Sequence, residues 1–144
     1  MMIHQLSRIQ DLEIARLIAY VVMPNHVHVI VTSCVPEVES ILYALKKPVS
    51  QKALPYLKSH FPGVYEKLQV STGRKATHRF WLWGGGHVRA IRSHEEIQNQ
   101  IKYIHRNPVR NRLVERPEDW RWSSFRYYRT GDPDPILVNR PDWI

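Results

Sequence analysis

The stretch Ile14-Ala-Arg-Leu-Ile-Ala-Tyr-Val-Val22, then Met23-Pro24-Asn25, then His26-Val-His-Val-Ile-Val-Thr32 decides the fold. Its first nine residues are rich in β-branched and aromatic side chains and predict a strand. Proline cannot donate to a sheet ladder and asparagine tolerates turn angles, so Met23-Pro24-Asn25 predicts a turn. His26 to Thr32 then predicts a second strand, and the two form an antiparallel hairpin. Residues two apart on a strand share a face. His26 and His28 are therefore expected side by side, with Val27 turned into the core.

Working outward, Ile3, Leu6 and Ile9 lie three apart and predict a short helix over Ile3 to Asp11. Glu37 to Leu57 carries Val38, Ile41, Leu42 and Leu45 at helical spacing, with Pro48 and Pro55 expected to break or kink it. Phe61 to Thr77 holds Pro62, Gly63 and Gly73 and is expected to be irregular. Arg79 to Trp83 predicts a strand, interrupted by Gly84-Gly85-Gly86 and resuming over His87 to Ile91. Ser93 to Asn107 predicts a helix: Ser93 and Glu96 have capping-box spacing, Ile97, Ile101 and Ile104 form a stripe, and Pro108 ends it near Asn107. One domain over residues 1–144 is expected, with an irregular Pro/Asp-rich tail over 132–144.

The chain has 144 residues, 43% of them hydrophobic and 24% charged, which is globular rather than disordered composition. A net charge of +8 favours a polyanionic partner, nucleic acid before membrane. The single cysteine, Cys34, excludes an intrachain disulfide framework and a Cys-rich zinc site, and is expected to be a small buried residue. No apolar stretch approaches the ~18 residues of a membrane span, and the expected compartment is the cytoplasm.

Three constellations could carry chemistry. Two imidazoles on one strand face can hold one divalent cation, or simply decorate a solvated face. Tyr103 and Asn107, four apart on a helix, share a side. The phenol could attack phosphorus to form a covalent intermediate, and the amide oxygen is a hard ligand; the plain alternative makes them a core ring and a helix end. Finally, Arg74, Lys75, Arg79, Arg89, Arg92, Lys102, Arg106, Arg110 and Arg112 are opposed only by Glu95 and Glu96, a run suited to phosphate backbones. Trp81, Trp83 and Tyr103 interleave aromatic faces suited to unstacked bases; at least one of the two tryptophans is expected in the core.

With these residues in view, Tyr20 to Val31 resembles the HUH motif of the single-tyrosine transposases of small insertion sequences. Tyr103-Ile-His-Arg-Asn-Pro-Val109, continuing through Leu113-Val-Glu-Arg-Pro-Glu-Asp-Trp120 to Trp122-Ser-Ser-Phe125, resembles their REP-associated branch more specifically. The resemblance implies an α+β, ferredoxin-like antiparallel sheet backed by helices. It implies Mg²⁺ or Mn²⁺ held by His26, His28 and Asn107, with Tyr103 as the nucleophile that stays attached to the 5′ end of cut DNA. It also implies single-stranded DNA with hairpin ends as partner, association with the nucleoid, and possible action as a homodimer. Arg79, Arg89, Arg92, Lys102, Arg106, Arg110 and Arg112 are the candidate DNA contacts.

Members of that family begin with a further strand and a longer helix, whereas 13 residues precede the hairpin here. The first strand is therefore expected to be missing, leaving unpaired backbone and an exposed apolar face beside the histidine strand. A second reading is a non-catalytic binder of DNA hairpins that uses neither Tyr103 nor metal. A histidine-triad hydrolase is disfavoured because Ile30 stands where a third histidine belongs. An RRM-like RNA binder is disfavoured because no aromatic RNP strand is present.

Overall fold

Strands β1 (Ala15–Val22) and β2 (Val27–Ser33) pair antiparallel, with Tyr20 opposite Val29 and Val21 opposite His28. The computed structural model describes residues 1–72, 75–82, 84 and 86–142. Helix α1 (Met2–Asp11) precedes the hairpin, and α2 (Val38–His60) and the short α3 (Pro62–Glu66) follow it. A second hairpin pairs β3 (Gln69–Thr72) with β4 (Lys75–His78). Then come α4 (His94–Arg110), a 3-10 turn at Pro117–Asp119 and α5 (Phe125–Thr130). The architecture is α+β with antiparallel strands backed by helices, as expected; among the described residues the strands form two two-stranded sheets.

β1 is the hub because its two faces feed two cores. Leu17 and Tyr20 pack with Leu6 and Ile9 of α1 and with Ile41 and Leu45 of α2. Ile18, Ala19 and Val21 pack instead with Ile30, Ile101 and Ile104, the last two from α4. The hairpin thus lies between an α1/α2 layer and α4. Helices supply apolar stripes to both sides of the strands, and this layering carries most of their stability.

The outer edge of β1 is satisfied from Leu17 to Val22. Gln10 Oε1 accepts from Leu17 N at 3.1 Å, and Leu17 O accepts from Asn139 N. At the register shift after Leu17, Ile18 O accepts from the Tyr128 hydroxyl at 3.0 Å. Tyr20 N donates to Ser124 Oγ at 3.0 Å, while Tyr20 O accepts from Ser124 N at 3.0 Å. Val22 N donates to Trp122 O at 2.8 Å, and Val22 O accepts from Trp120 Nε1 at 3.0 Å. Buried backbone groups must find partners, and here residues 120–139 supply most of them. Antiparallel pairing turns alternate residues outward, so β2 presents Val27, Val29 and Val31 on its own outer edge. Their backbone groups have no partner among the described residues.

Ser124 is the centre of this arrangement. Its buried Oγ also lies 2.8 Å from His105 Nε2. Ser124→Ala leaves the Tyr20 N–H and the imidazole without that partner inside the protein. The expected loss is about 2 kcal/mol, read by urea denaturation; a change under about 0.5 kcal/mol would show the clasp to be incidental.

Several sequence expectations are corrected. α2 runs unbroken through Pro48 and Pro55. Each proline removes one helical hydrogen bond, but Ile41, Leu45, Val49 and Ala53, four apart, bury a continuous stripe that holds the axis. α4 likewise continues through Pro108 to Arg110, because Asn111 N bonds Asn107 O at 3.0 Å and secures the last turn. The Phe61 to Thr77 segment is not wholly irregular: it holds α3, β3 and the start of β4. Arg79 to Leu82 is no strand; the bond from Arg79 N to Leu68 O at 3.0 Å closes the β3–β4 ladder. His87 to Ile91 has no regular structure, and Trp83, Gly85 and Arg74 lie outside the described residues. Cys34 is exposed, having passed the end of β2 at the strand exit. The tail is irregular through residue 142, yet Val138 is buried in the core.

Candidate active site

His26 and His28 come from the turn and first residues of β2, and Tyr103 from the middle of α4. α4 packs on the sheet face to which His28 points, since Ile101 and Ile104 meet Ile18, Val21 and Ile30 there. The His26 and His28 ring centroids are 5.0 Å apart, and those of His28 and Tyr103 are 5.9 Å apart, both edge-on. Three rings separated by some seventy-five residues of chain therefore meet in one row. Tyr103 keeps 42% of its surface exposed, so its hydroxyl bears on a solvent-accessible face rather than a core. Val27 is half-buried rather than fully inside.

Electrostatics favour a neutral imidazole at His28. Burial, and then the neighbouring His26, lower its pKa below the ordinary histidine value. Neutral imidazole is the form that donates a lone pair to a cation. His26 Nδ1 is 2.6 Å from Asn25 Oδ1, a bond that in the Nδ1–H tautomer leaves Nε2 as the free donor atom.

Asn107 lies one turn beyond Tyr103 and is 5% exposed. Its Oδ1 accepts a hydrogen bond from Asn111 Nδ2 at 2.6 Å. A carbonyl oxygen has two lone pairs, so that bond leaves one acceptor site. Among the described residues no three His, Cys, Asp or Glu side chains gather in one place. The donor set around the rings is thus two imidazoles with, at most, amide and solvent oxygens. Such a set suits a divalent cation that accepts mixed nitrogen and oxygen ligands.

The basic residues divide. The Arg110 guanidinium lies 5.0 Å from the Tyr103 ring centroid, over the nucleophile candidate itself. Lys102, Arg106 and Arg112 are exposed along or just past α4, and Arg92 is exposed just before it. Arg89 is tied to Glu96 at 2.6 Å. The same carboxylate accepts from Arg92 N at 2.8 Å, so the capping box closes on Arg92 rather than Ser93, while Ser93 Oγ accepts from Glu96 N as expected. Arg79 is half-buried beside the second hairpin. Trp81 is partly buried against α2, its Nε1 donating to Lys46 O at 3.0 Å.

His105 faces away from this site. It is buried against Phe125 and Tyr128, and burial lowers its pKa to about 4. The Trp120 to Ser124 segment has no ring at the candidate centre either; its structural work is the β1 clasp. Sequence reading had quoted that segment without finding a role for it, because only the fold brings it beside Tyr20.

Comparison with known proteins agrees with these motifs. A curated protein of Haemophilus influenzae, provisionally assigned as a REP-associated tyrosine transposase, is 28% identical over 111 residues. The match covers 75% of this chain and 57% of that protein, so the chain spans little more than half the relative's length. No protein-family model matches, and no solved structure matches. In sequence, then, this chain is distantly similar to a protein provisionally assigned as a REP-associated tyrosine transposase.

Proposed function

We propose that this protein is a transposase that cleaves and rejoins single-stranded DNA at hairpin-bearing ends through a 5′-phosphotyrosine on Tyr103. The observation that carries the reading is the row of rings: an accessible phenol beside two imidazoles, one of them held neutral. His26 and His28, with Asn107 as a third ligand, are the residues that would hold Mg²⁺ or Mn²⁺. A bound divalent cation supplies Lewis acidity that offsets charge on the scissile phosphate.

The chain's own groups do the rest. Tyr103 Oη attacks phosphorus; the new O–P bond forms as the bond to the 3′ oxygen breaks. The phenol proton passes to water, and the departing 3′ oxygen takes up a proton to become a hydroxyl. Rejoining reverses the step with another 3′ end, and the phosphodiester energy is conserved in the tyrosyl ester. Arg110, over the Tyr103 ring, is placed to steady both the ring and an incoming phosphate. Lys102, Arg106 and Arg112 extend a basic track for the backbone, with Arg92 and Arg89 at the start of the helix and Arg79 beyond.

The test is covalent capture. A 3′-labelled hairpin oligonucleotide whose released 3′-OH product diffuses away should leave a labelled adduct that survives denaturing gels, forms with Mn²⁺ and vanishes in EDTA. Tight hairpin binding with no adduct would favour the other reading, a non-catalytic hairpin binder, which the single hydrogen-bonded state of the Asn107 amide also suits.

A further inference from the structure

We infer that the exposed side of α2 is a second contact site for single-stranded DNA, in which a base stacks on Tyr43 and the flanking phosphates meet Lys46 and Lys47. This rests on the single-stranded DNA reading above and adds a site remote from the ring row. Tyr43, Lys46 and Lys47 are spaced i, i+3 and i+4, so they share one helix face. With Glu39, Leu42 and Ser50 they line a shallow cleft open to solvent.

The cleft has the two parts that sequence-tolerant binding of unpaired strands requires, an aromatic face and fixed cations. Tyr43 is 61% exposed, far more than an ordinary packed ring. Lys47 Nζ hydrogen-bonds the Tyr43 hydroxyl and lies 4.6 Å from its ring centroid, so ring and charge are already held together. Lys46 Nζ lies 5.9 Å from the Trp81 ring, and Trp81 is anchored to this helix through Lys46 O. Trp81, from a distant part of the chain, thus braces Lys46, while the residues that line the cleft all belong to α2. Gly86 passes nearby: a Cβ there would stand 3.5 Å from Lys46 Nζ and 3.9 Å from Leu42 Cδ2.

Charge selects the occupant. After Glu39, α2 carries Lys46, Lys47, Lys52 and Lys58 and no carboxylate. Such a face repels a second copy of itself and attracts a polyanion. Duplex DNA would offer no free base face to Tyr43; an unpaired strand does. The ring row is on the α4 side of the hairpin and this cleft on the α2 side, so the two contacts are separate sites.

The experiment is fluorescence anisotropy with dye-labelled oligothymidylate, which forms no hairpin. Tyr43→Ala is expected to weaken binding about 10-fold, and Tyr43→Phe to retain it, since the face survives. Lys46→Gln with Lys47→Gln should lower the slope of log affinity against log salt by about 1.4. Parent-like affinity and slope in these variants would overturn the cleft, and so would sedimentation showing that α2 is covered in a homodimer. The adduct assay separates the two claims. Variants that bind normally while the parent still forms adduct remove the cleft alone; a Tyr43-dependent affinity in a parent that never forms adduct supports the cleft and removes the phosphotyrosine reading.

Discussion

Tyr103→Phe is expected to abolish adduct formation outright, while hairpin affinity stays within about 3-fold of the parent. The substitution removes one oxygen from a half-exposed ring, so neither core packing nor the Arg110 contact is disturbed. A nucleophile has no substitute in a covalent mechanism, and its loss removes the step rather than slowing it. His28→Ala belongs beside it, with an expected fall of about 10³-fold in cleavage. The two variants should differ in one respect: His28→Ala should retain traces of adduct that rise with Mn²⁺ concentration, whereas Tyr103→Phe should not respond to metal. Wild-type adduct levels in Tyr103→Phe would place the nucleophile elsewhere. Unchanged cleavage in both His26→Ala and His28→Ala would remove the metal proposal.

Acid is the second large lever, acting on stability rather than chemistry. His105 is buried with its pKa lowered to about 4, whereas the unfolded chain titrates near the ordinary 6.5. Above pH 6.5 both states hold a neutral ring, and the site's full stability is present. As pH falls from 6.5 toward 4 the unfolded state binds the proton and the native state does not, so stability declines. The total is about 3 kcal/mol. Below about pH 4 the native ring also charges and the slope flattens. Protonation also ends acceptance by Nε2 of the Ser124 hydroxyl in the tautomer protonated on Nδ1, which couples the loss to the β1 clasp. His28, also shifted downward, adds a slope of the same sign. Denaturation midpoints with EDTA present, from pH 7.5 to 4.5, should therefore fall steeply in the parent and less in His105→Asn once each is referenced to its own value at pH 7.5. Equal slopes would show that His105 does not set the acid limit.

What was legible in the sequence was local. The β1–β2 hairpin, its Met23-Pro24-Asn25 turn and the Ser93 start of α4 depend on neighbours within a few residues, and propensity and capping identify them. Prolines 48, 55 and 108 misled because tertiary burial outweighed a missing hydrogen bond. The strand expected at Arg79 formed earlier, at Lys75, because pairing is decided by where the partner Gln69–Thr72 lies. For the site, period-two and period-four spacing placed His26 with His28 and Tyr103 with Asn107. That Tyr103 meets the two imidazoles is a tertiary fact carried by Ile101 and Ile104 against the sheet. The Tyr43 cleft is not legible in the sequence although its spacing is visible, because i, i+3 and i+4 spacing alone does not tell an exposed ring from a buried one.

The clasp on β1 has a consequence for how the chain is made. A ribosome releases β1 about a hundred residues before it releases Trp120, Ser124 and Asn139, whose groups finish that strand's edge. During this interval the nascent hairpin carries bare ladder groups on both sides, and closing so wide a loop is slow. Completion of the strand therefore waits until the segment from Trp120 onward has emerged. A stall or cleavage between Tyr103 and Trp120 would yield a fragment holding both histidines and Tyr103 but no finished strand to mount them on.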